Sequence, residues 1–309
     1  MAARAQGEEP GVRARLYDAD KVPWAEGGGG RGEGGGVTPP GTLVIVNPVA
    51  GSGRGERIWQ RLEPEARARL GQLILRRTAG PGDAESIARA NASAGGLTIV
   101  VGGDGTVHEV VNGILTDRNS RRLAVIPAGS GNDFARNLKI PLDPAQAVDR
   151  LGQGELRHLD VGHYSLRSPD GTVHSRLFVN SLSVGVSARA NRLAARMRRI
   201  LPGTLRYPLA GLVALLAEAP ARYRVTAARE TIHHGKALNL TLANGASFGG
   251  GLRISPGSLP DDGALDLVLI GPLGRMRALL ALARLRSGSH VAMRGIRVLR
   301  LRDPIRIAR

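Results

Sequence analysis

Between residues 41 and 141, short runs of unbroken apolar residues alternate with longer stretches in which apolar positions recur every three or four residues. Leu43-Val44-Ile45-Val46 is the first such run and stops at Asn47-Pro48, after which Glu56 to about Leu70 reads as a helix. Leu73 to Arg77 predicts a second strand and Asp83 to Ala94 a second helix, with Asp83 near its N-terminus. Leu97 to Val101 and Leu123 to Ile126 predict two more strands, followed by helices over Val107 to Leu115 and Asp133 to Leu138. Strands apolar along their whole length and alternating with helices imply a parallel sheet covered on both faces. In such sheets ligands bind at the carboxyl ends of the strands.

Past Pro141 the pattern shifts to short alternating segments separated by glycine-rich turns: Phe178 to Val184, Tyr223 to Ala228, Lys236 to Ala243 and Ala264 to Ile270. These predict a mainly antiparallel second domain. The fold class is therefore an α/β N-terminal domain with a parallel sheet plus a β-rich second domain. Two amphipathic helices stand out in the later part. In Ser187 to Ile200, Arg189, Arg192, Arg196 and Arg199 form one stripe and Leu193, Met197 and Ile200 another; Met276 to Arg286 is similar. Residues 1–40 contain GGGGRGEGGG, lack the apolar core of a signal peptide, and read as a disordered tail. The expected plan is a tail over 1–40, an α/β domain over 41–141, a β-rich domain over 142–270, and a basic segment over 271–309 that packs back on the first domain.

Charge sharpens this picture. The chain has 43 Lys and Arg against 26 Asp and Glu, a formal +17, and only Lys21, Lys139 and Lys236 are lysines. No acidic residue occurs from Gly171 to Ala217, and Gly271 to Arg309 holds only Asp303 against ten arginines. Such faces suit a phosphorylated nucleotide, an acidic membrane surface or nucleic acid; an arginine-rich proteome solvating its surfaces accounts for the same excess. Nine aromatic residues are too few for a single-strand stacking platform, which argues against nucleic acid. The absence of cysteine excludes disulfides, thiolate metal sites and a cysteine nucleophile. The longest apolar run, Leu209 to Ala217, falls short of the ~18–20 residues a membrane span needs.

Three glycine-rich turns follow predicted strands: Gly51-Ser52-Gly53-Arg54-Gly55, Gly102-Gly103-Asp104-Gly105-Thr106 and Pro127-Ala128-Gly129-Ser130-Gly131. Each offers backbone N–H groups at a helix start, where phosphate is favoured, although one such turn alone signals little more than positive φ. The first lacks the Gly-Lys-Ser/Thr of a Walker A loop, and its spacing is not the dinucleotide fingerprint. Asp104 is placed to hold magnesium against phosphate oxygens. Ser130, Asn132 and Asp133 add a hydroxyl, an amide and a second carboxylate, with a helix cap as the alternative role for Asp133. Gly245-Ala246-Ser247-Phe248-Gly249 satisfies the Gly-x-Ser-x-Gly hydrolase pattern but lacks the helix that must follow the serine.

Three words, Asn47-Pro48-Val49-Ala50-Gly51, Gly102-Gly103-Asp104-Gly105-Thr106-Val107-His108-Glu109-Val110-Val111-Asn112-Gly113 and Pro127-Ala128-Gly129-Ser130-Gly131-Asn132-Asp133-Phe134-Ala135-Arg136, resemble the diacylglycerol kinase catalytic-domain family in its bacterial lipid-kinase branch. Phe248-Gly249-Gly250-Gly251 and Pro260-Asp261-Asp262-Gly263-Ala264-Leu265-Asp266 resemble that family's later signatures. The Gly-Gly-Asp-Gly-Thr word is shared with NAD kinases and sphingosine kinases. The resemblance implies ATP- and magnesium-dependent transfer of a γ-phosphoryl group to the hydroxyl of diacylglycerol or a related lipid. It assigns Asp104 and Asp133 to catalysis, with Asp104 working with magnesium. Nucleotide contacts fall on Asn47, Gly51, Gly53, Thr78, Gly102, Gly103, Gly105, Thr106, Val107, His108, Glu109, Gly129, Ser130 and Asn132. A second, structural magnesium falls on Asp262 with the carbonyls of Leu259 and Ala264. The implied partners are a lipid substrate and an anionic membrane surface, with room for a homodimer, and the implied location is cytoplasmic and peripheral to the inner face of the membrane.

Two departures qualify the resemblance. Ser187 stands where the family usually has an aspartate, and the chain ends at Arg309 before the family's Asp-Gly-Glu word, whose acid is assigned as catalytic base. Either the sequence is a fragment or frameshifted, or the base is missing, at a typical loss of about 10²–10⁴-fold. A catalytically impaired module that binds nucleotide or lipid is thus the alternative function, and NAD phosphorylation a further one.

Overall fold

The computed structural model describes residues 11–17, 41–91, 96–115, 122–151, 156–168, 170–197, 201 and 203–309. Its first element, β1 (Gly11–Tyr17), corrects the expected tail: this segment is a strand paired antiparallel on both sides within the second domain. Val12, Ala14 and Leu16 alternate with Arg13 and Arg15, a period-2 pattern hidden in polar, glycine-rich surroundings. The other residues of the expected tail lie outside those described.

The α/β domain follows the predicted order. After β2 (Thr42–Val46), a single turn α1 (Ala50–Gly53) leads into α2 (Gly55–Leu70), β3 (Leu73–Arg77), α3 (Asp83–Ala90), β4 (Leu97–Gly102), α4 (Asp104–Ile114), β5 (Arg122–Pro127) and the short α5 (Asp133–Asn137). The sheet is parallel, in the order β3-β2-β4-β5. Successive residues of β2 enter opposite cores. Leu43 and Ile45 pack with Val100, Val107, Val110 and Phe134, whereas Val44 and Val46 pack with Trp59, Ile99, Val101 and Ile126. Burial on both faces explains why the strands are apolar throughout. Trp59 is fully buried although its indole N–H has no partner among the described residues, a cost of about 1–3 kcal/mol. The hydrophobic gain from burying a ring of roughly 150–250 Å² outweighs it.

The domain extends past the expected boundary at Pro141. Asp143 caps α6 (Pro144–Asp149) by accepting from Ala145 N–H, and Val148 and Leu151 join the Trp59 core. The second domain then adds β6 (Val161–Arg167), β7 (Val173–Phe178), β8 (Ser181–Gly185), α7 (Val186–Arg196), α8 (Gly203–Ala217), β9 (Ala221–Ala227), β10 (Glu230–Ala237), β11 (Asn239–Ala243) and β12 (Leu265–Ile270). It closes with α9 (Arg275–Arg284), β13 (Ile296–Leu301) and β14 (Ile305–Ala308). A six-stranded antiparallel sheet, β10-β9-β14-β1-β6-β7, faces a four-stranded one, β13-β12-β11-β8, across a core that includes Phe178, Val225, Leu240, Leu267 and Ile305. The expected strand 178–184 is broken at Val179-Asn180 because Asn180 is used elsewhere, as described below.

The C-terminal expectation is also corrected. Residues 271–309 do not pack back on the first domain: β13 pairs with β12, β14 inserts between β1 and β9, and Ala281 and Leu285 share a core with Ile254 and Val268. Alternation of Arg300 with Leu299 and Leu301, and of Arg306 with Ile305 and Ile307, is a strand pattern that charge counting alone passes over.

The two domains are clasped by a side chain that mimics a strand edge. Asn112 of α4 accepts from Leu177 N–H at 2.9 Å and donates to Leu177 O at 3.2 Å, satisfying both backbone groups in a buried setting. Asn112→Ala should leave that donor and acceptor unpaired and lower the unfolding free energy by about 2 kcal/mol. Urea titration of the full chain tests this, and an unchanged midpoint would show that the clasp contributes nothing.

Candidate active site

Because β2, β4 and β5 are parallel neighbours, their carboxyl ends share one edge, and the ladder continues into the turns. Asn47 N–H donates to Val101 O at 2.9 Å and Ala128 N–H to Gly102 O at 2.8 Å. Thr78, at the end of β3, donates its N–H to Val46 O at 2.9 Å. Asn47 Nδ2 reaches across to Thr106 Oγ1 at 2.9 Å. The second and third glycine turns lie back to back: a Cβ added to Gly129 would stand 2.5 Å from Gly103 Cα, so neither position admits a side chain. Gly51 is held against the third turn as well, since its Cβ would meet Ala128 O at 2.3 Å. The three turns expected to converge do so.

Helix α4 begins at Asp104, three residues earlier than the apolar period suggested. Its first intrahelical bond is Val107 N–H to Gly103 O, so the N–H groups of Asp104, Gly105 and Thr106 precede the ladder at the positive end of the helix dipole. Gly53, Gly105 and Ser130 are exposed along this edge, while Gly102, Thr106 and Val107 are buried. Val107 contributes its side chain to the core, and His108 and Glu109 are half-buried on the next turn of α4. Burial lowers the His108 pKa, helped by the Arg176 guanidinium. Asn132 adopts left-handed backbone (φ 55°) and closes the third turn on itself, accepting from Gly129 N–H at 2.9 Å and donating to Gly129 O at 3.1 Å.

The two catalytic candidates lie together. Asp104 Oδ1 accepts from Phe134 N–H at 2.8 Å and from Asn180 Nδ2 at 3.2 Å. A Cβ on Gly131 would stand 3.1 Å from Asp104 Oδ2 and 3.4 Å from Asp133 Oδ2, so both oxygens border one small space. Asp133 is 4% exposed and is held by the second domain: Gly250 N–H and Gly251 N–H each donate to one of its oxygens at 2.7 Å. Gly249, Gly250 and Gly251 have φ of 61°, 88° and 94°, a run that only glycine adopts without strain. Burial, then the charge of Asp104, push the Asp133 pKa up to about 6. The helix-cap role is not the one Asp133 plays, since Asn132 is the residue preceding α5 and both Asp133 oxygens are engaged by the glycine triplet.

Three asparagines that the sequence reading did not single out support this junction. Asn180 orients Asp104, and Asn137 accepts from Ser247 N–H at 2.9 Å while donating to Ser247 O and Asn180 Oδ1. Asn244 donates to Val179 O and Asp160 O, and its own N–H donates to Asn180 O. Ser247 is therefore clamped by its backbone in a turn that runs on into glycines, and the hydrolase elbow is absent.

Beside Gly249 an apolar cavity of ≈ 90 Å³ opens between α7, α8 and α9, with Gly211, Leu215, Phe248, Leu252 and Leu282 among its walls. From Pro208 to Ala217 helix α8 is apolar on every side. Ala210 and Ala214 are buried, Gly211 and Leu215 face the cavity, and Leu205, Leu209, Val213 and Leu216 are exposed at helical spacing. On α9, Met276 and Leu280 are exposed beside Arg275, Arg277 and Arg284.

Comparison with known proteins agrees with this geometry in both halves. Residues 41–164 match the family model of the diacylglycerol kinase catalytic domain, and residues 180–308 that of the YegS C-terminal NAD kinase beta sandwich-like domain. A Pseudomonas fluorescens protein named as a YegS-like lipid kinase is 31% identical over 72% of this chain and 72% of its own length. The chain belongs to the diacylglycerol kinase catalytic-domain family. Within this family, a Bacillus subtilis protein carrying the lipid kinase name YtlR is 28% identical over 84% of this chain and 87% of its own. A Bacillus anthracis crystal structure described as that of a diacylglycerol kinase superposes with a TM-score of 0.68 at 25% identity, covering 87% of this chain and 85% of that one.

Two further positions named from the family lie in the second domain. Asp262 was expected to hold a structural magnesium, but its Oδ2 lies 3.0 Å from the Arg300 guanidinium and its Oδ1 accepts from Ala264 N–H at 3.0 Å. Arg300 also donates to buried Asp266, and Arg157 pairs with Asp261. Positive charge thus already lies beside the Leu259–Ala264 turn, while the buried Asp262 Oδ2 has no hydrogen-bond donor among the described residues. Ser187, in the place of a family aspartate, opens α7 with its N–H donating to Asn239 Oδ1 at 2.8 Å.

The Asp133 carboxyl makes a pH signature for this lipid-kinase family member. Its folded pKa of about 6 lies above the ordinary 3.8, so the folded state binds the proton more tightly. The stabilisation is present in full below about pH 4 and is lost as pH rises through about 6, a change of roughly 3 kcal/mol at this group. A ¹³C-carboxyl titration should show one aspartate with an inflection near pH 6, moving down in Asp104→Asn as the neighbouring charge is removed. An Asp133 inflection near pH 4 in the parent would contradict the burial argument.

Proposed function

We propose that the chain is an ATP- and magnesium-dependent kinase that transfers the γ-phosphoryl group to the free hydroxyl of diacylglycerol or a related membrane lipid. The observation that carries this reading is the Asp104–Asp133 carboxylate pair, set among three glycine turns at one sheet edge and next to an apolar cavity. Magnesium fits this pair. It is usually bound by one or two carboxylates together with substrate phosphates, and two carboxylate oxygens here border one space with the charge of one disfavouring that of the other.

In the proposed reaction the N–H groups at the start of α4 bind phosphate oxygens, favoured by the helix dipole. The exposed Ser130 hydroxyl and the Gly51–Gly53 turn contribute further donors around the polyphosphate. Asn180 and Phe134 N–H fix Asp104 Oδ1, which turns Oδ2 toward the space by Gly131. When bound, the cation would neutralise charge developing on the transferred group. Positioning and charge neutralisation supply most of the rate in phosphoryl transfer, so Asp104 is the least replaceable residue.

The acceptor lipid resides in a bilayer, and among the described residues no helix is long and apolar enough to cross one. The docking face is therefore a surface. The stripe expected on α7 serves less well than α8, because Arg189 is ion-paired to Glu218 and Ala194 is buried, while Arg199 and Ile200 lie outside the described residues. Leu205, Leu209 and Leu216 of α8 enter the membrane interface in this reading, with Arg192, Arg196 and the arginines of α9 meeting anionic headgroups. Such docking corresponds to a cytoplasmic protein peripheral to the inner membrane face.

Asp104→Asn should cut phosphoryl transfer from ATP to diacylglycerol by about 10³-fold or more while the unfolding midpoint stays near that of the parent. Transfer of radiolabelled phosphate in mixed vesicles is the assay, and near-parental activity would end the assignment of the magnesium carboxylate. Changing Leu205, Leu209 and Leu216 together to glutamine should weaken co-sedimentation with anionic vesicles by about tenfold or more. Unchanged sedimentation would remove α8 from the docking face.

A further inference from the structure

The cavity between α7, α8 and α9 contains a polar atom that its apolar walls do not explain. His290, on the 3-10 turn Ser289–Ala292, lines the cavity and is fully buried. Its Nε2 lies 3.1 Å from Ile254 O. A carbonyl oxygen only accepts, so Nε2 carries the hydrogen. Burial also lowers the imidazole pKa, which keeps the ring neutral and leaves Nδ1 as a lone-pair acceptor. That nitrogen has no partner among the described residues.

The other fully buried polar side chain of the wall, Asn239, gives no such opening. Asn239 accepts from Ser187 N–H and donates to Thr241 Oγ1. Among the lining residues, His290 Nδ1 is the buried side-chain atom left without a partner. Buried acceptors are ordinarily satisfied, and the cavity that His290 lines has room for a group that would satisfy this one. The group must donate a hydrogen bond and must be attached to something that suits apolar walls.

We infer that this cavity binds an alkyl chain bearing a hydrogen-bond donor, a hydroxyl or an amide N–H, which His290 Nδ1 accepts. The inference rests on the lipid-kinase reading for its substrate class and narrows it. A hydrocarbon or fully esterified chain leaves Nδ1 unpaired, so His290 selects lipids by a donor and the walls select by apolarity. A site built around a buried polar partner rejects the analogue that lacks it more strongly than an apolar wall rejects one methylene.

The test compares 1-octanol with its isomer methyl heptyl ether, which has the same atoms and no donor, by calorimetric titration of the full chain. Octanol should bind about tenfold more tightly than the ether. On adding octanol, the Nδ1 resonance of His290 in ¹⁵N-histidine-labelled protein should shift as that nitrogen gains a hydrogen bond, a reading that needs no variant to fold. His290→Phe should bring octanol down to the level of the ether. Gly211→Leu should reduce both, because a side chain starting there points toward Leu282, 3.6 Å from the new Cβ. Equal affinities in the parent, an unmoved Nδ1 resonance, or undiminished binding in Gly211→Leu would each overturn the inference. Phosphoryl transfer to diacylglycerol, assayed on the same preparation, is independent of these outcomes: transfer without octanol selectivity removes this inference alone, and selectivity without transfer removes the kinase reading.

Discussion

A buried carboxylate held by two backbone N–H groups from another domain is the constraint on which the site depends. Asp133 gives up solvation to enter the junction and recovers only part of it from Gly250 and Gly251, which is why it holds a proton to about pH 6. The arrangement dictates residues on both sides. Three consecutive glycines must bend through positive φ to aim two donors at one carboxyl group, and α5 must begin where it does to deliver that group. It also brings Asp133 close to Asp104, so that two like charges face one space. Such a pair is costly alone and becomes favourable once a cation and phosphate join it. The junction thus has a stability cost that grows as pH rises through about 6.

What could be read from the chain beforehand follows the range of the interactions. The parallel sheet was legible because burial on two faces makes each strand a continuous apolar run, as in Leu43–Val46. The glycine turns and the two neighbouring aspartates, Asp104 and Asp133, were legible because the chemistry of a strand end is local. By contrast, β1 and β14 were missed because arginines alternate with their apolar residues, and strand pairing across almost the whole chain has no local mark. Asn180 acts on the Asp104 carboxylate 76 residues away and Asn112 on backbone groups 65 residues away, so nothing in their own neighbourhood announces it. The ion pair between Asp262 and Arg300 was hidden for the same reason. Arg300 reaches Asp262 only once β13 pairs with β12.

The excess positive charge separates into two populations once the structure is known. Arg300, Arg157, Arg189 and Arg77 are committed to carboxylates and serve the fold, with Arg77 and Glu56 tying β3 to α2. Exposed pairs of this kind contribute little stability each. Arg192 and Arg196 of α7 and Arg275 and Arg284 of α9 instead stand on exposed faces beside the apolar stripe of α8. A uniformly solvating arginine population would not need that neighbour, and the pairing of the two kinds of surface favours an anionic, partly apolar partner over a purely polar one.

The same three helices resolve a conflict between stability and function. Close packing would fill the space between them, yet the cavity walls include Ala190, Gly211, Ala278 and Ala281, small residues contributed by each of α7, α8 and α9. Larger side chains at these positions would bury more apolar area and raise stability, since leaving atoms out of a core forfeits contacts that packing would otherwise supply. Keeping them small preserves a void that opens beside Gly249, one residue from the N–H that holds Asp133. The void and the glycine triplet are therefore joined: Gly249 lines the one while Gly250 and Gly251 hold Asp133, so a side chain that filled the void would press on the turn that positions the carboxylate.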